Sequence, residues 1–99
     1  MIWPILLAAC NGGAGSRADD ILALTGDATS GETLFADNCA VCHAADGSGG
    51  TGPNLSWESV SAEVVNVILS GEEDMPSFSD LTDQEIADIL AWLDANVFE

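Results

Sequence analysis

Three side chains in one short run could carry chemistry: Cys39, Cys42 and His43, in Cys39-Ala40-Val41-Cys42-His43. Two thiols three positions apart can add to the two vinyl groups of one haem. The residue that follows is then held where its imidazole nitrogen meets the iron, and Cys-x-x-Cys-His is the c-type attachment pattern. Two other chemistries use part of this set. A redox dithiol also uses Cys-x-x-Cys, but within a βαβ context that is not seen around this run. A zinc site takes four good ligands, and beyond these three the chain offers only Cys10, far away in sequence.

The sixth position on such an iron is assigned by elimination. There is no second histidine, no lysine and no tyrosine, and one methionine lies inside the domain, Met75. It sits in Gly71-Glu72-Glu73-Asp74-Met75-Pro76. Pro76 biases Met75 toward an extended backbone and removes one donor, which suits an inward-pointing thioether. The alternative is a methionine filling a core gap; the three acids beside it argue against that. An iron bound by His and Met has no open position, so its work is outer-sphere electron transfer, and the thioether favours Fe(II). Leu55, Val65, Ile68, Leu69, Phe78 and Leu81 are expected to bury the group. No Ser/His/Asp or Cys/His set remains for catalysis, so the chain is not expected to be an enzyme.

The elements that position these residues must fit in 99 residues, which is one small domain. A net charge of −16, with Arg17 as the one basic residue, excludes nucleic-acid binding and a basic lipid-docking patch. A hydrophobic share of 47% excludes disorder. No apolar run reaches the roughly 20 residues of a spanning helix.

Residues 1–10 end in Leu7-Ala8-Ala9-Cys10 and resemble the end of a bacterial lipoprotein signal peptide, with Cys10 lipidated, although no charged residue precedes the apolar run. Residues 11–26 read as a flexible tether, Gly/Ala/Ser-rich at first, with a possible helical turn at 19–24. The domain is expected over 27–99. Its first helix is expected over 29–38, capped by Thr29 with Glu32, or else by Asp27 or Ser30. A glycine-rich loop follows over 46–54. A second helix is expected over 61–70, ended by Gly71. The last opens on the Thr82/Glu85 capping box, with Ile86, Ile89, Leu90, Leu93 and Val97 at helical spacing.

From Asp27 to Glu99 the chain resembles a small bacterial class I cytochrome c. The pieces that carry this are Gly31-x-x-Leu34-Phe35, Cys39-Ala-Val-Cys42-His43, Asp46-Gly-Ser-Gly, Gly52-Pro53-Asn54-Leu55, Met75-Pro76-Ser-Phe78 and Leu81-Thr82-Asp83-Gln84-Glu85. The resemblance implies an all-α cytochrome c fold, with three to four short helices around one covalent haem. It implies a close contact of the first and last helices at Gly31, Phe35 and Trp92. It implies that the Pro53 carbonyl accepts a hydrogen bond from His43. Trp57 resembles residues that reach a haem propionate or line the pocket, with simple packing as the alternative. Arg17 lies in the expected tether, so the propionates are expected to use Trp, Asn, Ser, Thr, backbone N–H groups or water.

One electron is thus expected to pass between periplasmic or membrane redox partners. Glu72, Glu73 and Asp74 beside the ligand loop point to partners with a basic docking face; solubility in a saline habitat is the other account of the charge. A tightly bound haem subunit of a dehydrogenase or oxidase, and a haem-based ligand sensor, are the alternative functions. Because haem is attached outside the cytoplasmic membrane, a periplasmic monomer is expected, lipid-anchored through Cys10, or soluble there if Cys10 is not lipidated.

Overall fold

The computed structural model describes residues 13–99, with side chains from Arg17 onward; the expected signal segment and Cys10 lie outside the described residues. Five helices run in the order α1 (Gly13–Leu22), α2 (Ala28–Asn38), α3 (Ala40–His43), α4 (Ala62–Ser70) and α5 (Asp83–Asn96). Among the described residues no strand forms; one isolated bridge pairs Glu72 with Met75. The all-α expectation holds. The helix count exceeds it because α1 is added and α3 is a single separate turn.

Side-chain caps set the helix starts. Asp27 is the N-cap of α2, its carboxylate accepting from the Thr29 N–H at 2.9 Å and the Ser30 N–H at 3.4 Å. That cap replaces the expected Thr29/Glu32 box and starts the helix one residue early. Ser61 caps α4 and Gly71 ends it. Thr82 and Glu85 make both bonds of the capping box on α5.

The long α5 holds the protein together, because both parts of the core use it. On one side Phe35 of α2 packs with Ile89, Leu93 and Val97. The Phe35 and Trp92 rings lie 4.8 Å apart between centroids. The backbones approach closely here: a Cβ on Gly31 would overlap the Asp88 carbonyl. Asp88 is buried, and its carboxylate accepts from the Asp27 N–H and from Gln84 Nε2, each at 2.8 Å. A carboxylate of α5 therefore fixes the entry of α2.

On the other side, Ala18 and Ile21 of α1 pack with Val65 and Leu69 of α4 and with Ile86, Ala87 and Leu90 of α5. Over residues 13–22 this replaces the expected tether with a docked helix, longer than the turn expected at 19–24. From Gly13 to Leu22 the chain is helical, and Ala18 and Ile21 are 0% and 1% exposed. Their spacing places them on one helical face. Arg17 adds polar ties: Nε pairs with Asp83 at 2.8 Å, Nη1 donates to the Ser79 carbonyl at 3.1 Å and Nη2 to the Leu81 carbonyl at 2.8 Å. A spacer-like composition conceals a short docked helix.

A haem site between helix ends and loops

The attachment run is shaped by the junction of two helices. Cys39 closes α2, its N–H bonded to the Phe35 carbonyl at 2.8 Å, and also opens α3. The single turn of α3 then carries Cys42 and His43. The glycine-rich loop folds back on it, with the Gly52 N–H on the Cys42 carbonyl at 2.6 Å and the Gly49 N–H on the His43 carbonyl at 2.9 Å. Ser48 bonds to exposed Asp46, holding that carboxyl below the usual carboxylate range. Only glycine fits at 52: a Cβ would stand 2.9 Å from His43 Cε1 and 3.1 Å from Nδ1.

His43 is buried, at 8% exposed. Its Nδ1 lies 2.8 Å from the Pro53 carbonyl. A carbonyl can only accept, so Nδ1 carries the proton and Nε2 keeps its lone pair for a metal. This bond fixes the ring's orientation and raises its donor strength. The expected Pro53 contact is therefore present in the geometry.

Cys39, Cys42, His43, Pro53 and Met75 all line one cavity of about 590 Å³, within the range of cofactor pockets. Its walls are largely apolar, from Phe35, Leu55, Val64, Val67, Ile68 and Phe78. Met75 reaches the wall on a tight loop. Its N–H donates to the Glu72 carbonyl at 2.8 Å, and its own carbonyl accepts from the Glu72 N–H at 3.0 Å. Burial, and secondarily the neighbouring Cys42, pushes the Cys39 thiol up to about 11. A redox dithiol needs the opposite, a lowered thiol pKa. No cluster of three metal-binding side chains occurs among the described residues, so nothing there assembles a zinc site.

Several expectations shift. Trp57 is 82% exposed and is not among the cavity's lining residues, so it neither lines the pocket nor packs as a core residue. Its segment turns outward after Leu55, with the Ser56 N–H bonded to Asn54 Oδ1 at 2.8 Å. Val65, Leu69 and Leu81 belong to the helical core rather than to the cavity. Arg17 is occupied by Asp83 and two carbonyls, away from the cavity wall. Asn38, Glu58 and Glu63 line the cavity but are absent from the expected set. The α4 stripe of Val64 and Ile68 signals Glu63 only weakly, since acids on a helix usually face solvent.

The family described as cytochrome c oxidase, cbb3-type, subunit III, matches residues 26–93. The chain belongs to this cytochrome c family. It is 39% identical over 77 residues to a cytochrome c-553-like protein of Synechocystis sp., covering 74% of this chain and 72% of that one. It is 34% identical over 71 residues to cytochrome c6 of Cyanidium caldarium, covering 60% and 62%. Among solved structures it is similar to cytochrome cL from the marine methylotrophic bacterium Methylophaga aminisulfidivorans, with a TM-score of 0.61 and 28% identity. That match covers 68% of this chain but only 52% of the other. As a cytochrome c the chain carries haem c, joined through Cys39 and Cys42. The free Nε2 of His43, the paired thiols and the apolar cavity fit that group. It is a haem-based electron-transfer protein.

Proposed function

We propose that this cytochrome carries one electron at a time between redox proteins outside the cytoplasmic membrane, with His43 and Met75 as the side chains that would bind the haem iron. The observation that supports this reading is that the carbonyl-oriented His43 imidazole and Met75 both belong to the lining of one largely apolar cavity. Haem c supplies the Fe(III)/Fe(II) couple there. The chain's own residues keep it ready: Pro53 holds the His43 ring, the Glu72–Met75 bridge shapes the thioether loop, and the apolar walls exclude water. With both His43 and Met75 bound to it, the iron would keep no position for substrate, which separates a carrier from an enzyme. The test is the absorption spectrum of the holoprotein. A c-type reduced spectrum together with the far-red Met-to-Fe(III) charge-transfer band is expected. Covalent haem lacking that band removes Met75 from the iron.

The partner reading rests on charge. Glu58, Glu63, Glu72, Glu73 and Asp74 lie on the cavity lining, and Val41, between the two cysteines, is 82% exposed. A partner offering cationic groups around an apolar patch complements this face. Its electron-transfer rate is expected to fall about tenfold or more as salt rises from about 0.01 M to about 0.5 M, because encounter is steered. A rate indifferent to salt, or rising with it, counts against a basic partner and leaves the charge to solubility.

A further inference from the structure

The segment that carries Met75 also closes the end of α4. A helix end leaves its last carbonyls without intrahelical partners. Here the Val67 carbonyl accepts from the Gly71 N–H at 2.7 Å and the Ile68 carbonyl from the Phe78 N–H at 2.8 Å. The Leu69 carbonyl accepts from the Ser77 hydroxyl at 2.5 Å. Two of these three donors lie beyond Met75, so the loop is folded back onto the helix it leaves.

The Ser77 hydroxyl is also the middle of a longer chain of contacts. It accepts from the Ser79 N–H at 3.3 Å, with the Ser79 hydroxyl at the same distance. The Ser79 carbonyl accepts from Arg17 Nη1 at 3.1 Å, and the Leu81 carbonyl from Nη2 at 2.8 Å. A continuous path thus runs from α1 through Arg17, Ser79 and Ser77 to the end of α4, and it encloses the loop that bears Met75.

We infer that Ser77 and Arg17 are positioning residues for Met75, holding its loop against α4 and so setting how readily the thioether leaves the iron. The inference rests on Met75 being the sixth ligand. Neither residue touches the cavity; Ser77 ties the backbone after Met75 to the α4 end before it, and Arg17 holds the backbone after it. Arg17, the one Lys or Arg in a chain of net charge −16, is committed to this brace.

The test uses the ferric holoprotein and imidazole as the incoming ligand. At saturating imidazole the binding rate reports departure of the thioether. Ser77→Ala and Arg17→Gln are each expected to raise that limiting rate at least about fivefold, since each removes one or more ordinary hydrogen bonds that hold the loop's flanks. The charge-transfer band weakens in both. Ser77→Thr, which keeps the hydroxyl, restores the rate to within about twofold on the same scale. Combining Ser77→Ala with Arg17→Gln is expected to give less than the product of the single effects, because the two side chains share one network. Limiting rates unchanged in both single variants, with only the melting temperature lowered, overturn the inference and leave a structural role. A wild type with no charge-transfer band and no limiting rate shows that Met75 is not the ligand, and both readings fall together.

Discussion

Gly31→Ala is expected to destabilise the protein by about 3 kcal/mol or more, at the upper end of overpacking costs. Helix propensity alone predicts the reverse, since Ala is favoured over Gly by about 1 kcal/mol inside a helix. The two effects differ in sign, so the measurement is decisive. The new methyl would overlap the carbonyl of Asp88, with the Ile89 amide nitrogen at 3.0 Å. Backbone cannot swing aside as a side-chain tip can, so α2 and α5 must separate. Separation also loosens Phe35 from Trp92 and lengthens the bond from the Asp27 N–H to Asp88. For a domain of this size 1 kcal/mol moves the melting temperature by about 4–8 °C. Thermal unfolding of the holoprotein should therefore fall by roughly 12–24 °C or more. Glu32→Ala, at the exposed next position, serves as the control and should stay within about 0.5 kcal/mol. A Gly31→Ala protein as stable as wild type would mean that the two helices tolerate a wider separation than the structure gives them.

Close approach of that kind is legible in sequence only through the resemblance that places Gly31, Phe35 and Trp92 together; a lone glycine near a helix start is otherwise unremarkable. The chemistry is more openly written. Cys39, Cys42 and His43 are bound to each other by spacing, and Met75 stands out because the chain has no second histidine, no lysine and no tyrosine. Their shared cavity follows from both facts. The glycine-rich loop is legible as a loop, but its use is not: Gly52 gives way to the His43 ring, a contact between residues on different segments. The failures share a cause. Residues 13–18 have the composition of a spacer, and what joins them to the helical turn expected at 19–24 as one helix lies elsewhere, in the apolar groove of α4 and α5 that receives Ala18 and Ile21. Trp57 reads by its type as a pocket residue, whereas its exposure is decided by how the backbone turns after Leu55. Local pattern specifies a helix or a ligand; it does not specify which surface a short segment will find.

Met75→Leu is the substitution expected to change the redox chemistry most. Leucine keeps an apolar side chain of similar size, so the cavity wall and the loop fold are expected to persist. It has no sulfur to offer the iron. A thioether stabilises Fe(II) relative to Fe(III), so its removal favours Fe(III) and the midpoint potential falls. The expected fall is about 0.1 V or more, a modest part of the roughly 0.8 V over which axial ligands set haem potentials. A fall of that size corresponds to a change of more than tenfold in the preference for Fe(II), at about 59 mV per factor of ten for one electron. The His43 side should be untouched, because its bond to Pro53 at 2.8 Å lies on a different segment. The haem should therefore remain covalently attached, the far-red charge-transfer band should vanish, and the reduced variant should bind carbon monoxide where the wild type does not. Potentiometric titration and the two spectra read these effects separately. A variant that keeps the band and the wild-type potential places another ligand on the iron, and with it ends the account of the Met75 loop as the part of this fold that makes it a closed electron carrier.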